Sequence, residues 1–206
     1  MGFYDRHVVP RLIDRACAVK PVLEQRRKLV PQAGGRVLEI GIGSGLNLDH
    51  YDRGSVVTLF GLEPSPELMR MATRRAERLG MTFEALRGGA EEIPLEDGEV
   101  DTVVVTYTMC SIERLPEALA EMRRVLRPGG RLIFSEHGRA PDPGIARWQD
   151  RLTPLWRRIA GGCRLNRDVP ALLRESGFEL ASLHQHYLPG TPKVVGFNSR
   201  GMALRR

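Results

Sequence analysis

The chain has 206 residues, of which 42% are hydrophobic and 27% charged, so a disordered chain is excluded and one domain, or one domain carrying an excursion, is expected. No apolar run approaches the roughly 18 residues of a membrane span, and the N-terminal MGFYDRHVVPRLIDRACAVK mixes charges where a signal peptide carries an apolar stretch. Basic residues exceed acidic ones by 31 to 25, a net +6, yet the arginines are scattered beside acids, as in RRAERLG, which predicts a solvated basic surface and no nucleic-acid partner.

In chain order, residues 7–30 carry apolar residues at helical spacing, and Pro10 and Pro21 divide them into two helical pieces. After Gly34-Gly35 the pattern changes to short apolar runs at Val37–Ile40, Val56–Leu62, Thr82–Leu86, Val100–Thr106 and Leu132–Phe134, which read as buried strands of a mainly parallel sheet. Helical stretches fall between them. Ser65-Pro66 caps one that Gly80 stops, and Leu115, Leu119, Met122 and Leu126 line another that ends at Pro128-Gly129-Gly130. After Glu136 the rhythm breaks: Ile145, Trp148, Leu152, Trp156 and Ile159 stand at helical spacing, and Pro154 is expected to split this stretch into two helices. A further helix is expected from Asp168 to Ser176, and the runs Phe178–Tyr187 and Val194–Met202 predict an antiparallel pair at the sheet edge.

The three cysteines, Cys17, Cys110 and Cys163, are odd in number and lack CxxC spacing, so neither a disulfide framework nor a metal site is expected and a cytoplasmic, reducing compartment is. The most informative stretch is Glu39-Ile-Gly41-Ile-Gly43-Ser-Gly45-Leu-Asn47, directly after the first strand. Its glycines let backbone amides approach a ligand. The spacing is G-x-G-x-G, and the acid before it disfavours a pyrophosphate and suits a ligand carrying ammonium and sulfonium groups. Eighteen residues past Gly45 stands Glu63, followed by Pro64, at the end of the second strand, where a carboxylate can accept both hydroxyls of a ribose.

These motifs resemble the class I S-adenosylmethionine-dependent methyltransferases, specifically the methyltransferase type 11 group, over residues 35–136. Val-Leu-Glu-Ile-Gly-Ile-Gly-Ser-Gly is similar to the family's first motif, Gly61-Leu-Glu63-Pro-Ser to its second, Gly89-Ala90-Glu91 with Asp97-Gly98-x-Val100-Asp101 to its third, and Leu126-Arg-Pro-Gly-Gly130 to the turn before the fifth strand. The resemblance implies an α/β, Rossmann-like class I methyltransferase fold. It would comprise a helical N-terminal lid (1–33), a cofactor-binding core (34–137), a helical substrate insert (138–176) and C-terminal strands (177–206) in a single domain. It also implies S-adenosyl-L-methionine as cofactor. Gly41, Gly43 and Gly45 would pass under its methionine and ribose, and Glu39 would lie by the ammonium, with Asn47 in the same group. Glu63 and Pro64 would lie at the ribose, Ala90 and Glu91 at the adenine, and Thr106 and Thr108 below the sulfonium.

A narrower resemblance, to the thiol S-methyltransferase-like branch, rests on Met109-Cys110-Ser111-Ile112, Glu136-His137, Trp148-Gln149, Pro154-x-Trp156 and Gly162-Cys163-x-Leu165-x-Arg167. It implies methylation of a small thiol such as methanethiol or hydrogen sulfide. The animal members begin with a membrane anchor that this chain lacks, which fits a soluble version. For thiol chemistry His137 is the candidate base or, alternatively, a pocket-shaping residue, with His7 and Tyr4 next as members of a folding-over lid. Trp148 and Trp156 are expected as core anchors with Trp148 near substrate, and Cys110 and Cys163 as small buried apolar groups with Cys163 at the pocket. Asn166 and Arg167 are candidates for an acidic substrate group, Arg167 alternatively for a helix cap. Phospholipid or quinone methylation, aided by peripheral membrane contact of the basic surface, and an S-adenosylmethionine-binding module without turnover remain alternatives. Monomer and homodimer are both open. Thr106-Tyr-Thr-Met after the fourth strand, in place of an Asn/Asp-Pro-Pro-aromatic tetrad, argues against methylation of nucleic-acid bases.

Overall fold

The computed structural model describes residues 17–206. Tyr4, His7 and the first of the two N-terminal helical pieces lie outside them. The second piece is α1 (Lys20–Leu29), which opens with Pro21 in its first turn, where a missing amide hydrogen costs nothing.

Seven strands form one sheet in the order β3-β2-β1-β4-β5-β7-β6. They are β1 (Gly35–Ile40), β2 (Val56–Leu62), β3 (Glu84–Leu86), β4 (Val100–Thr106), β5 (Leu126–His137), β6 (Phe178–Tyr187) and β7 (Phe197–Arg205). The first five are mutually parallel, while β7 runs antiparallel to both β5 and β6. Helices α2 (Pro66–Leu79), α3 (Leu115–Val125), α4 (Pro143–Ile159), α5 (Val169–Glu175) and the single turn α6 (Lys193–Gly196), with short 3-10 turns at Val30–Gln32 and Leu48–His50, complete the described elements. Strands covered on both faces need apolar side chains at both parities. Leu38, Val103, Val105, Leu132 and Phe134 pack with α3 and α5 on one face, and Val37, Val104 and Ile133 pack with α2 on the other.

The caps read from the sequence are in place. Ser65 Oγ accepts from Leu68 N at 3.4 Å, and Gly80 closes α2 with φ +60°. Asp168 caps α5 through Ala171 N at 3.1 Å. Two expectations are corrected. Pro154 does not split α4, which runs unbroken through it; the proline deletes one amide bond in a helix of 17 residues. The last strand begins at Phe197 because Lys193–Gly196 winds into a turn first. The strand order reverses between β1 and β4, and that crevice is where an open α/β sheet binds its ligand. Among the described residues no helix is long and apolar enough to cross a membrane.

Candidate active site

At this crevice lies a cleft of about 640 Å³ whose wall includes Gly41, Ile42, Gly43, Glu63, Pro64, Ala90, Glu91, Thr106 and Thr108. Its floor is the glycine loop. Gly41 N and Ile42 N donate to the Leu62 carbonyl at 2.8 and 3.1 Å, which ties the end of β1 to the end of β2. Gly41 has φ +64°, and a Cβ there would sit 2.5 Å from Thr108 Cγ2, so only glycine fits. Glu63 is buried and accepts from Gly43 N at 3.1 Å and from Ser65 N at 2.9 Å. Burial raises its carboxyl pKa, against these two amide bonds. The carboxylate therefore holds the loop while facing the cleft, where its remaining lone pairs can accept from a ligand.

Glu39, Gly45 and Asn47 do not line the cleft among the described residues and stand behind its wall. A Cβ on Gly45 would lie 2.7 Å from Leu48 Cδ1 and 3.2 Å from Ala72 Cα, so this glycine serves the close approach of α2. Glu39 is 1% exposed, and its two oxygens accept from Asn47 Nδ2 at 2.9 Å and Tyr51 OH at 2.8 Å. Burial pushes its pKa up to about 7, against hydrogen bonds from Tyr51 and Asn47 and the charge of Arg26.

Sequence reasoning missed Arg26. It stands beside exposed Arg27 and Lys28 and reads there as part of a solvated cluster, yet it is 5% exposed and lines the cleft. Its guanidinium donates to Asn47 Oδ1 at 2.8 Å and Thr106 Oγ1 at 2.5 Å, and lies 5.4 Å from the centre of the Tyr107 ring. Its Nε is buried and has no hydrogen-bond partner among the described residues. The signal was periodicity: Val22, Arg26 and Leu29 share the buried face of α1. Tyr107 was missed as well. It holds φ +54° directly after β4, an uncommon conformation for a non-glycine residue, with its hydroxyl 2.8 Å from Asn198 Oδ1.

The turn after β4 is clamped from two sides. Glu136, fully buried in β5, accepts from Thr108 N at 2.6 Å and Met109 N at 2.9 Å. Burial and the neighbouring Cys110 charge push its pKa up to about 8. Arg167 donates to the Met109 and Ile112 carbonyls and, at 3.5 Å, to that of Glu113. This corrects the expectation that Arg167 meets an acidic substrate group, since its guanidinium holds backbone. Asn166 likewise turns to Asp150, 2.8 Å away. Trp148 is 56% exposed on the outer side of α4, beside Arg151 and Lys193 in a separate surface cleft, so it is neither a core anchor nor part of the cofactor cleft.

His137 does not stand on the wall among the described residues either. Its Nε2 lies 3.0 Å from Cys163 Sγ, and Cys110 completes a cluster whose ligating atoms all lie within 4.8 Å of one another. Trp156 Nε1 donates to Cys163 Sγ at 3.3 Å. A hydrogen bond from Cys163 and the nearby His137 ring hold the Cys110 thiol well below the usual thiol range, and Cys163, the donor, is pushed up. Burial opposes charging of the His137 ring, but the Cys110 charge overrides it and the pKa is raised. The three residues come from distant segments, 27 and 26 positions apart, and no spacing rule finds them.

Parallel sheet, glycine floor and acidic residue at the end of β2 together define a class I S-adenosylmethionine-dependent methyltransferase. The methyltransferase domain family matches residues 38–134. Human thiol S-methyltransferase TMT1B is 35% identical over 80% of this chain and 71% of its own length, and human thiol S-methyltransferase TMT1A 32% identical over 82% and 70%. The chain belongs to the S-adenosylmethionine-dependent methyltransferase family that includes these proteins. A ubiquinone/menaquinone biosynthesis C-methyltransferase, UbiE of Dinoroseobacter shibae, is 31% identical over 59% of this chain and 50% of its own length. Among solved structures, geranyl diphosphate methyltransferase in complex with S-adenosylmethionine superposes with a TM-score of 0.72 at 15% identity, covering 100% of this chain and 92% of that one. The Glu63 carboxylate and the Arg26 side chain on the cleft wall suit a ligand carrying both hydroxyl and carboxylate groups, as that cofactor does.

Proposed function

We propose that this methyltransferase acts on a small thiol, such as methanethiol or hydrosulfide, at sulfur. S-adenosylmethionine supplies the methyl group on a sulfonium, open to in-line attack. Glu63 accepts from the ribose hydroxyls, Pro64, Ala90 and Glu91 flank the adenosine, and Gly41 and Gly43 leave room for the ligand to lie against backbone. Arg26, whose side chain lines the cleft, takes the methionine carboxylate. Glu39, Asn47 and Thr106 position Arg26 by the hydrogen bonds given above. Thr108 and Ser111 bound the acceptor end, on a turn that Glu136 and Arg167 hold rigid. Rigid placement is what such a reaction needs, because the attacking sulfur must be held about 3 Å from the methyl carbon with water excluded. The thiolate is the nucleophile, and methyl transfer requires no covalent enzyme intermediate.

The observation that carries the choice of acceptor is the extent of similarity. Relatives named thiol S-methyltransferases match 78–82% of the chain, whereas the quinone C-methyltransferase matches 59%. The test is steady-state turnover with hydrosulfide, methanethiol and longer alkyl thiols, alongside a quinol, phosphatidylethanolamine and an alkyl amine, with the methylated product identified by mass. Thioether or methanethiol formation at rates well above those for the other acceptors is expected. Turnover confined to the quinol or the phospholipid would replace this reading.

A further inference from the structure

Cys110 stands in the turn after β4, His137 ends β5, and Cys163 follows α4. Each is held in place by backbone. His137 pairs with Asn198 of β7, and Arg164 N donates to the Cys110 carbonyl at 3.0 Å, fastening the two cysteine-bearing segments together. Gly161 and Gly162, with φ of +60° and +85°, turn the chain back so that Cys163 meets the end of the sheet.

We propose that Cys110 Sγ, His137 Nε2 and Cys163 Sγ bind one soft divalent cation of the zinc class, leaving a fourth coordination position for an exogenous ligand. The donor set of two sulfurs and one imidazole nitrogen is the kind that selects zinc over magnesium or calcium. The geometry is close to what such an ion requires. Zinc bonds of about 2.3 Å to sulfur and 2.0–2.1 Å to nitrogen set tetrahedral ligand atoms about 3.5–4 Å apart, and these three lie within 4.8 Å of one another with Nε2 and Cys163 Sγ at 3.0 Å. Two thiolates also neutralise the dication, so a loaded site can sit half-buried without a net charge. Trp156 donates its indole N–H to Cys163 Sγ at 3.3 Å, an outer contact of the sort that steadies a metal thiolate.

Among the described residues three protein ligands converge, and a zinc site with three protein ligands keeps its fourth position for an exchangeable one. Ser111 and Gly161, neighbours in sequence of Cys110 and Cys163, line the cofactor cleft, so the ion would lie directly behind its acceptor end. The metal site itself does not depend on the identity of the acceptor.

The test is titration of the phosphine-reduced full chain with cobalt(II), followed by its thiolate-to-cobalt charge-transfer absorption, with native mass spectrometry of the zinc-loaded protein. One equivalent is expected, with a band intensity of two thiolates and the visible bands of a tetrahedral ion. Cys110→Ser, Cys163→Ser and His137→Ala should each weaken binding at least a hundredfold, and Trp156→Phe about tenfold. Cys17→Ser, which removes the thiol outside the cluster, should leave it unchanged. Circular dichroism separates loss of a ligand from loss of fold, and the wild-type band reports two thiolates even where a variant fails to fold. A reduced wild type that takes up no cobalt or zinc, or uptake that survives in the Cys110→Ser/Cys163→Ser double variant, would overturn the proposal.

Discussion

The two ends of the cleft are built on different principles. At the ribose side of the cofactor end the polar groups belong to two neighbouring motifs and are satisfied by backbone: Glu63 takes two amides, and the glycine loop folds onto the carbonyl that precedes Glu63. Behind the other end stands the Cys110, His137 and Cys163 cluster, whose members come from three segments that only the completed sheet brings together, sulfur and imidazole in contact with one another. A cofactor shared by a whole fold family is served by a local, transferable device. The cluster behind the cleft is a tertiary device, assembled from a strand end, a turn and the segment after α4.

The comparison can be broken first at Glu63. Glu63→Ala removes a carboxylate expected to make two charge-assisted hydrogen bonds, each worth roughly 1.5–3 kcal/mol, so S-adenosylmethionine binding should weaken by about a hundredfold or more in calorimetry. An unchanged affinity would detach Glu63 from the ribose.

Glu39 tests the layer behind the wall. Its carboxyl titrates at about 7 in the folded chain against an ordinary 4.5, so the native state keeps a proton that the unfolded chain releases. Its contribution to stability is therefore complete below pH 4.5 and is lost as pH rises through about 7, an effect of order 3 kcal/mol at most. Urea midpoints at pH 5 and pH 8 should show a loss in the wild type that Glu39→Gln reduces. Equal losses in the two proteins would place the titration elsewhere.

Arg26→Met sharpens the cofactor end by about 2 kcal/mol of S-adenosylmethionine affinity, the scale of one hydrogen bond to a charged group. Decarboxylated S-adenosylmethionine should bind wild type and variant with little difference; an equal loss for both ligands would mean that Arg26 acts only through Asn47 and Thr106. The smallest effect belongs to Trp148→Ser. Because the ring is 56% exposed and outside the cofactor cleft, stability should change by no more than about 0.5 kcal/mol, with turnover of a soluble thiol unaltered. A drop of several degrees in Tm would show that the ring is a packed anchor after all.

The same contrast governs what the sequence reveals. Strand and helix order, the Ser65 cap and Gly80 stop, and the placement of Gly41, Gly43 and Glu63 on one cleft are legible because each depends on residues within a few positions or on a motif of fixed spacing. Gly45 and Asn47 share that motif, but their roles depend on which layer a side chain enters, and spacing does not encode that. Arg26 was hidden by its charged neighbours, although the helical period carried the signal. Arg167 and Trp148 were misread for opposite reasons. Buried carbonyls of a distant turn claim the guanidinium, and the indole faces outward because Ala146, Gln149 and Thr153 occupy the inner side of α4. Cys110, His137 and Cys163 each lie in a segment that carries the narrower resemblance, but nothing in their spacing says that they meet.

The central claim is transfer of a methyl group to the sulfur of a small thiol. The most direct measurement places the enzyme with S-adenosylmethionine bearing a trideuterated methyl group in one vessel with a small alkyl thiol, a quinol and phosphatidylethanolamine vesicles, and follows the label by mass spectrometry. The account predicts that label accumulates in the methyl thioether, and that Glu63→Ala slows this at limiting cofactor. Label appearing in the quinol or the lipid while the thiol stays unmethylated would contradict it.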